Sequence, residues 1–241
     1  MNYLVIGDPS GLHCLNLIER DVSPQDITVW EDTTKGINSC LTRGVTVVSN
    51  LDELMGQRFS VVIGNPPYGS GGNLAIRFLN KSLDLSDTVT MVLPISVRKP
   101  SSVNKIRLDA ICTDDVTLPD DTFPGSIRTV RQTWVRTDSL RSKIQTFTTH
   151  PDFEFVSYDE RHEANVFIGI KGGGPAGRVK TENFEHYADT GHHLIKCNKE
   201  VQERLVALEP QFREEALITQ VPSLGKNELI TIYMKNYPTS P

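Results

Sequence analysis

Four consecutive residues bring together groups that could hold a planar amine: Asn65, Pro66, Pro67 and Tyr68. They follow a short apolar run that reads as a buried strand and ends at Gly64. Each proline fixes φ at about −65° and lacks a backbone N–H, so the loop is stiff and its carbonyls are free to accept. The Asn65 side chain and the Pro66 carbonyl therefore predict a rigid pair of acceptors beside an aromatic ring. A plain polyproline turn at the end of a strand is the alternative interpretation.

A second set of candidate residues follows the other early strands. The turn after the first strand consists of Gly7, Asp8, Pro9, Ser10 and Gly11. Glycine in a strand-to-helix turn lets a ligand approach the backbone closely. Glu31 and Asp32 follow the second strand, and Asn50 follows the third. We expect these positions and residues 65–68 to converge on one edge of a sheet.

The elements that must position these residues alternate along the first half of the chain. We predict strands over residues 3–6, 27–30, 45–48, 60–63 and 88–93, and helices over 12–19, 34–41, 74–83 and 104–111. This alternation predicts an α/β fold with a doubly wound, mostly parallel sheet of the Rossmann-like kind. Ligands of such sheets bind beyond the carboxyl ends of the strands, where the candidate residues lie.

The pattern changes after about residue 141. Strands are predicted over residues 153–158, 166–171 and 229–234, and a helix over 200–208. The glycine-rich segment 172–177 is typical of a hairpin loop, and a phosphate-binding loop is less favoured because no helix follows it. We therefore predict two domains, residues 1–141 and a smaller C-terminal α+β region over residues 142–241.

Composition limits the class of protein. The 241 residues carry 30 acidic and 25 basic side chains, and the net charge of −5 disfavours an extensive phosphate-binding surface. Residues 126–145 hold five basic residues and one acid, a run more typical of a solvated face than of a nucleic-acid contact. The sequence offers neither a membrane-spanning run nor a signal peptide, so we expect a cytoplasmic protein. The cysteines are widely spaced, which predicts buried thiols and no metal site: Cys14, Cys40, Cys112 and Cys197.

Three sequence segments resemble those of a known family. The stretch FSVVIGNPPY, followed in order by VTMVLPISVRKPSSVNKIRLDAI and DVTLPDDTFPGSIRTVRQTWVRT, is similar to motifs of the S-adenosylmethionine-dependent amino-methyltransferases. The similarity is to the DNA adenine-N6 methyltransferases of restriction-modification type, and it covers roughly residues 3–136. It implies a Rossmann-like methyltransferase fold over residues 1–141 and a target-recognition region over residues 142–241.

The resemblance also implies a role for each candidate residue. Asn65 and the Pro66 carbonyl would accept the two amino hydrogens of a flipped adenine, and Tyr68 would stack on the base. Phe123, in a TFPG segment, would contact the base from elsewhere in the pocket. The amino nitrogen would then attack the methyl group of S-adenosylmethionine by direct in-line displacement, without a metal.

For the cofactor, the resemblance assigns the turn over residues 7–11 to its close approach. Glu31 would accept the ribose hydroxyls, with Asp32 in reserve, and Asn50 would meet the adenine ring. The expected partner is double-stranded DNA with the target base flipped out, and no membrane is expected. The turn over residues 7–11 is shorter than the corresponding turn of the family. Completion of the cofactor site by a partner subunit or in a homo-oligomer is therefore a further expectation from the sequence.

Other functions remain open from the sequence. The same loop occurs in enzymes that methylate base amino groups in RNA or a glutamine amide in proteins, and cytosine N4 is chemically similar to adenine N6. A different class of protein is a catalytically inactive relic that only binds nucleic acid. The intact residues 65–68 argue against the relic, because it has little use for the acceptor pair.

Overall fold

The computed structural model describes residues 1–123, 127–219 and 221–238. The chain divides into two compact units, Met1–Ile144 and Gln145–Pro241. The first unit contains β1 (Tyr3–Ile6), α1 (Leu12–Ile18), β2 (Ile27–Trp30), α2 (Thr34–Leu41), β3 (Thr46–Val48), β4 (Val61–Gly64), α3 (Asn73–Leu85), β5 (Thr88–Pro94), α4 (Pro100–Val103), β6 (Ala110–Thr117) and β7 (Thr129–Arg136).

The strands of the first unit form a seven-stranded sheet in the order β3-β2-β1-β4-β5-β7-β6. Strands β1 to β5 are parallel, and β7 runs antiparallel to both of its neighbours. Alternation along β1 assigns side chains to the two faces. Leu4 packs in a cluster with Leu79 of α3, whereas Val5 packs in another with Cys14 of α1 and Cys40 of α2. The predicted doubly wound, mostly parallel fold is confirmed.

The register of the three central strands determines where the candidate residues leave the sheet. Ile6 of β1 lies opposite both Trp30 of β2 and Gly64 of β4. Because these strands are parallel and end level with one another, the loops after β1, β2 and β4 begin side by side. The sheet therefore converts three distant sequence positions into one local site.

The helix predicted over residues 104–111 is wrong. Helix α4 has only four residues, and β6 begins at Ala110. The intervening turn is held by Asn80 of α3, whose amide donates to the Lys105 carbonyl at 2.9 Å and accepts from the Arg107 N–H at 3.0 Å. These tertiary contacts and the pairing of β6 with β7 outweigh a weak helical pattern.

The basic run noted in the sequence begins just before β7 and continues past it, and the two arginines on β7 meet acidic partners. Arg131 lies 3.1 Å from Asp114, and Arg136 lies 3.1 Å from Asp109. The acidic residues of β6 and of the turn before it thus neutralise much of this run. The favoured interpretation, a solvated face, agrees with these ion pairs.

Arg141 has a structural role at the end of this unit. Its guanidinium donates to the carbonyls of Val103 at 2.7 Å and Ile106 at 2.8 Å. It also donates to the Ala110 carbonyl at 3.1 Å and lies 5.9 Å from the centre of the Trp134 ring. One side chain therefore satisfies carbonyls between α4 and the start of β6, a stretch with little regular structure.

The second unit combines a small antiparallel sheet with three helices. Its elements are β8 (Phe153–Phe155), β9 (Val166–Gly169), β10 (Val179–Lys180), β11 (His192–Cys197), α5 (Lys199–Ala207), α6 (Glu209–Ala216) and α7 (Lys226–Asn236). The sheet has the order β10-β9-β11-β8. The predicted α+β character is confirmed, and the glycine-rich segment joins the antiparallel strands β9 and β10.

The strand predicted over residues 229–234 is wrong, because this segment lies inside α7. Leu229, Ile230 and Tyr233 are fully buried. Their spacing of one and four residues puts them on one side of a helix, facing the core of the unit. The β-branched content of the segment favoured a strand, and packing against the helices and sheet overrides that preference.

Length decides the question of membrane insertion for the helices. At 13 residues, α3 is the longest helix within the described ranges, whereas a membrane-spanning helix needs about 20 apolar residues. None of the helices in the described part of the chain is long and apolar enough to cross a membrane.

We predict that Arg141→Ala lowers the free energy of unfolding of the first unit by about 2 kcal/mol. The variant loses three hydrogen bonds from a charged donor, and each contributes roughly 0.5–1.5 kcal/mol or more. Lys143→Ala is the matched control, because Lys143 is exposed. Urea unfolding of both variants checks the prediction, and equal midpoints would contradict the role of Arg141.

Candidate active site

Backbone hydrogen bonds extend the sheet into the first residues of the loops. The Gly7 N–H donates to the Trp30 carbonyl at 2.9 Å, and the Asn65 N–H donates to the Ile6 carbonyl at 2.8 Å. Gly7 has φ of 71°, and a Cβ atom there would lie 2.5 Å from the Asn65 carbonyl oxygen. The position therefore requires glycine, both for its left-handed backbone and for the approach of the β4 loop.

Asp8 is buried, with 1% of its surface exposed, and its carboxylate faces α1. It accepts from the His13 N–H at 3.2 Å and the Cys14 N–H at 2.9 Å, which are free donors of the first helical turn. Its own N–H donates to Glu31 Oε2 at 2.8 Å. Asp8 thus fixes the start of α1 and ties the first loop to the second, while Pro9 and Ser10 of the same turn are exposed.

Glu31 is also buried, with 2% of its surface exposed. Besides the Asp8 amide, its carboxylate accepts from Thr33 N at 2.9 Å, Thr33 Oγ1 at 2.7 Å and Asp32 N at 3.2 Å. A Cβ atom on Gly36 would lie 2.5 Å from its carboxyl carbon, so α2 closes over the group. The structure places the predicted ribose acceptor inside a protein network and leaves the neighbouring Asp32 exposed.

Cys14 and Cys40 lie behind the first loop, with their sulfurs and an Asp8 oxygen within 4.8 Å of one another. Burial raises the pKa of both thiols, and the charge of Asp8 raises it further. Both thiols therefore stay protonated at neutral pH. The prediction of buried thiols is confirmed for these two; Cys112 is exposed and Cys197 is half-buried.

The loop after β4 is fixed at both ends. The Tyr68 hydroxyl donates to Asn65 Oδ1 at 2.9 Å, so the amide oxygen predicted to accept from a substrate already has a donor. The Tyr68 carbonyl accepts from the N–H groups of Leu74 at 3.1 Å and Ala75 at 3.3 Å, which begin α3. Burial raises the pKa of the Tyr68 phenol to about 12. The tyrosine is thus a neutral donor held against the acceptor amide.

The two prolines differ in exposure. Pro66 is buried and Pro67 is exposed. Among the described residues, no protein group donates to the Pro66 carbonyl, as expected for a loop with two missing N–H donors. Asn65 Oδ1 and this carbonyl are therefore two of the acceptors that the loop offers.

A cleft of about 200 Å³ opens between the ends of β2 and β3 and the face of α3. It is lined by Trp30, Ser49, Asn50, Leu51, Leu74, Arg77, Phe78 and Lys81. The Trp30 and Phe78 rings lie 4.5 Å apart at 59°. Asn50 Oδ1 accepts from the Asp52 N–H at 3.0 Å, so its amide is oriented at the cleft rim.

Sequence reasoning placed Asn50 correctly at a strand end but missed both aromatic side chains of the cleft. Trp30 could have been found as the last residue of a strand on the predicted ligand edge. Phe78 follows Leu74 by four residues, so both lie on one face of α3. Arg77 is exposed and makes no ion pair in the described part of the chain.

Phe123 is half-buried in the connection between β6 and β7. Among the described contacts, none joins it to Asn65 or Tyr68, so its role at the base remains a prediction. The residues that complete its FPG segment, Pro124 and Gly125, lie outside the described residues.

The chain was compared with protein families, curated proteins and solved structures. No family model and no curated protein matches the chain. Solved structures that match part of the chain include TrmN from Thermus thermophilus, 11% identical with a TM-score of 0.45, covering 56% of this chain and 44% of that one. The 23S rRNA methyltransferase ErmE is 18% identical with a TM-score of 0.41, covering 58% and 63%. A ribosomal protein L11 methylase from Lactobacillus delbrueckii subsp. bulgaricus is 5% identical with a TM-score of 0.41, covering 56% and 70%. At this level of similarity, function has to be argued from the chain's own residues.

We predict that the stabilising effect of the Tyr68 phenol is lost at high pH. Its pKa is about 12 in the folded protein and about 10 in an unfolded chain, so the folded state retains the proton longer. The contribution is fully present below pH 10 and declines as the pH rises towards 12. Urea unfolding of wild type and Tyr68→Phe between pH 8 and 11.5 measures it. A difference between the two proteins that does not change with pH would contradict the burial of the phenol.

Proposed function

We propose that the protein is an S-adenosylmethionine-dependent methyltransferase that modifies the N6 amino group of adenine in DNA. The observation that carries this proposal is the loop at the carboxyl end of β4, where the Tyr68 hydroxyl lies 2.9 Å from Asn65 Oδ1 and the Pro66 carbonyl has no protein donor among the described residues. An aromatic amine donates two hydrogens in the plane of its ring. Two fixed acceptors beside a ring complement that geometry.

The Tyr68 hydroxyl supports this assignment, because it occupies Asn65 Oδ1 as a neutral O–H donor. A substrate amino group is also a neutral donor, and it would replace the phenol at the same oxygen. Exchange of one donor for another leaves the half-buried amide satisfied throughout, which lowers the cost of an unpaired polar group. The ring remains available for stacking on the base.

Capture of the base has an energetic cost that the site can offset. Extruding a base from a duplex costs a few kcal/mol, and stacking on an aromatic side chain returns about 1–3 kcal/mol. Hydrogen bonds to the two acceptors add to this and draw the amino nitrogen away from conjugation with the ring. Its lone pair would then attack the methyl group as the bond from that methyl to the cofactor sulfur breaks. Asn65 Oδ1 and the Pro66 carbonyl would accept hydrogen bonds from the amino group, and one of its protons would leave to solvent after the transfer.

The fold also offers places for the cofactor, which supplies an electrophilic methyl group when bound. The cleft of about 200 Å³ beside Trp30 and Phe78 is smaller than the about 300–1,000 Å³ of typical ligand pockets. We assign it to the adenine ring alone, with the Asn50 amide at its rim. The turn after β1 would approach the methionine end, and the exposed Asp32 is free to accept the ribose hydroxyls.

This assignment gives Glu31 and Asp32 different roles. We predict that Asp32→Ala weakens S-adenosylmethionine binding about 10-fold or more, because a hydrogen bond to a charged group contributes about 1.5–3 kcal/mol, while stability is unchanged. Glu31→Ala should lower the melting temperature by several degrees, since it leaves the Asp8 amide and the Thr33 groups without an acceptor. Isothermal titration and thermal unfolding measure the two effects, with the exposed Asp138→Ala as control. Normal cofactor affinity in Asp32→Ala would return the ribose to Glu31.

The reaction itself is tested with methyl-labelled cofactor and mixed-sequence duplex DNA. We predict label in N6-methyldeoxyadenosine with wild type, and at least a 100-fold lower rate with Asn65→Ala at unchanged cofactor affinity, since removal of one such transition-state contact costs about 10²–10³ in rate. Asn38→Ala, which removes an exposed amide from α2, is the matched control.

Other outcomes would contradict the assignment in identifiable ways. Label on RNA or on a protein glutamine, but not on DNA, would keep the acceptor pair and change the substrate. Loss of cofactor binding in Asn65→Ala would show that the amide serves the cofactor. Failure of wild type to bind the cofactor would favour an inactive relic or a missing partner subunit.

A further inference from the structure

The sheet of the second unit has two faces of different character. Register places Lys180 opposite Phe167, and Phe167 opposite Leu194, so the three side chains share one face. The other face packs Ile168 and Ile195 with the helices α5, α6 and α7. The face of Lys180 therefore lies opposite the helical core of this unit.

A pocket of about 370 Å³ lies beside the glycine-rich loop of this unit. It is lined by Gly174, Pro175, Arg178, Lys180, Tyr187 and His192. The lining thus combines a guanidinium, an ammonium group, an imidazole and a phenol ring with one glycine and one proline.

The aromatic part of the pocket is held in position from behind. The Arg161 guanidinium donates to the Phe184 carbonyl and, at 3.2 Å, to the Tyr187 carbonyl. Phe184 stacks on Phe167 with ring centres 4.4 Å apart. Tyr187 is therefore presented by an anchored segment, with its ring 5.5 Å from the His192 ring and 5.6 Å from the Lys180 ammonium.

In the described part of the chain, neither Arg178 nor Lys180 makes an ion pair, and Arg178 is exposed. Glu209 of α6 accepts from the Val179 N–H of β10 at 3.0 Å. Helix α6 packs on the other face of this sheet, away from Lys180. This differs from the first unit, where the arginines of β7 meet aspartates.

We propose that this pocket binds nucleic acid, with Arg178 and Lys180 on the phosphates of one strand and Tyr187 stacked on an unpaired base of the same strand. The inference rests on the proposed function and names a surface that reads the substrate outside the reacting base. Cations beside a fixed aromatic ring match the alternating phosphate and base of a polynucleotide. The imidazole of His192 lies beside the same ring and borders the bound strand.

The test compares the R178A/K180A protein with wild type in binding a fluorescent duplex that carries a single-stranded overhang containing adenine, by anisotropy at several salt concentrations. Each lost phosphate contact reduces the slope of log K against log salt by about 1, so we expect a decrease of about 2. Affinity at moderate salt should fall at least 10-fold. Lys180→Arg keeps the charge and should stay within twofold of wild type.

The matched control is K199A/K235A, which removes two exposed cations of the same unit outside the pocket. It has the same net charge as R178A/K180A, so general electrostatic attraction predicts equal effects from both. Specific contacts predict a change of less than about twofold for the control. Tyr187→Leu should weaken binding about 10-fold with an unchanged salt slope, because it removes stacking and no charge.

Several outcomes would overturn the proposal. Equal affinities and slopes for R178A/K180A and K199A/K235A would make these residues ordinary surface charges. A second outcome is that adenosine monophosphate binds wild type but not R178A/K180A, while both proteins bind the duplex equally well. That result would make the pocket a site for a free nucleotide. An RNA duplex of the same sequence is the second probe, and tighter RNA binding that still depends on Arg178 and Lys180 supports the pocket.

Failure of this inference is distinct from failure of the proposed function. If wild type methylates DNA and R178A/K180A has an unchanged KM and Kd, only the pocket assignment is wrong. If R178A/K180A raises KM about 10-fold at constant kcat, the pocket contributes to substrate binding. If wild type binds the cofactor but no nucleic acid of either kind, the proposed function fails and the pocket assignment fails with it.

Discussion

The edge of the sheet depends on one buried carboxylate. Glu31 follows β2 and accepts hydrogen bonds from the loop after β1 and from the start of α2. A buried charge is tolerated only when donors surround it, so its neighbours are constrained in turn. Gly36 has to lack a side chain, and the Asp8 amide has to point towards β2. Asp8 then directs its own carboxylate to α1, which sets where that helix begins. Removal of the Glu31 carboxylate would therefore loosen the loops after β1 and β2 and the starts of α1 and α2.

The loop after β4 solves a related problem with neutral groups. Its acceptors have to be exposed to a substrate, yet polar groups in a half-buried site need partners. The Tyr68 hydroxyl meets the Asn65 amide at 2.9 Å, and the Tyr68 carbonyl caps α3. The same residue thereby fixes the loop and keeps its acceptor satisfied while no amine is present. Rigidity comes from the prolines and the helix start, and adaptability comes from a single hydroxyl.

Much of this arrangement could be predicted from sequence because it follows from local patterns. The strands β1 to β5 are short apolar runs bounded by glycine or polar residues, and their alternation with helices fixes a parallel sheet.

The helix predicted over residues 104–111 and the strand over 229–234 were wrong because tertiary contacts decide them. Residues 104–109 are held by Asn80 of α3. Helix α7 is stabilised by the burial of its apolar side against the core of the second unit. The partners of Glu31 were equally out of reach, since residue type gives the position of a carboxylate but not the donors that fold around it. Trp30 and Phe78 were missed for a simpler reason: 48 positions separate them, and only the sheet brings them together.

The ion pairs of the β6–β7 hairpin have a consequence for the behaviour of the protein in concentrated solution. Strand β6 lies at the end of the seven-stranded sheet, and seven of its eight residues are exposed. A long edge strand offers unpaired N–H and C=O groups on which another chain can add a strand. Here the edge carries Asp114 and Asp115, whose charges an incoming strand would have to desolvate, and its register is irregular between Cys112 and Asp114. Both features oppose strand addition, so the charges that hold the hairpin also protect the sheet from growing into an aggregate.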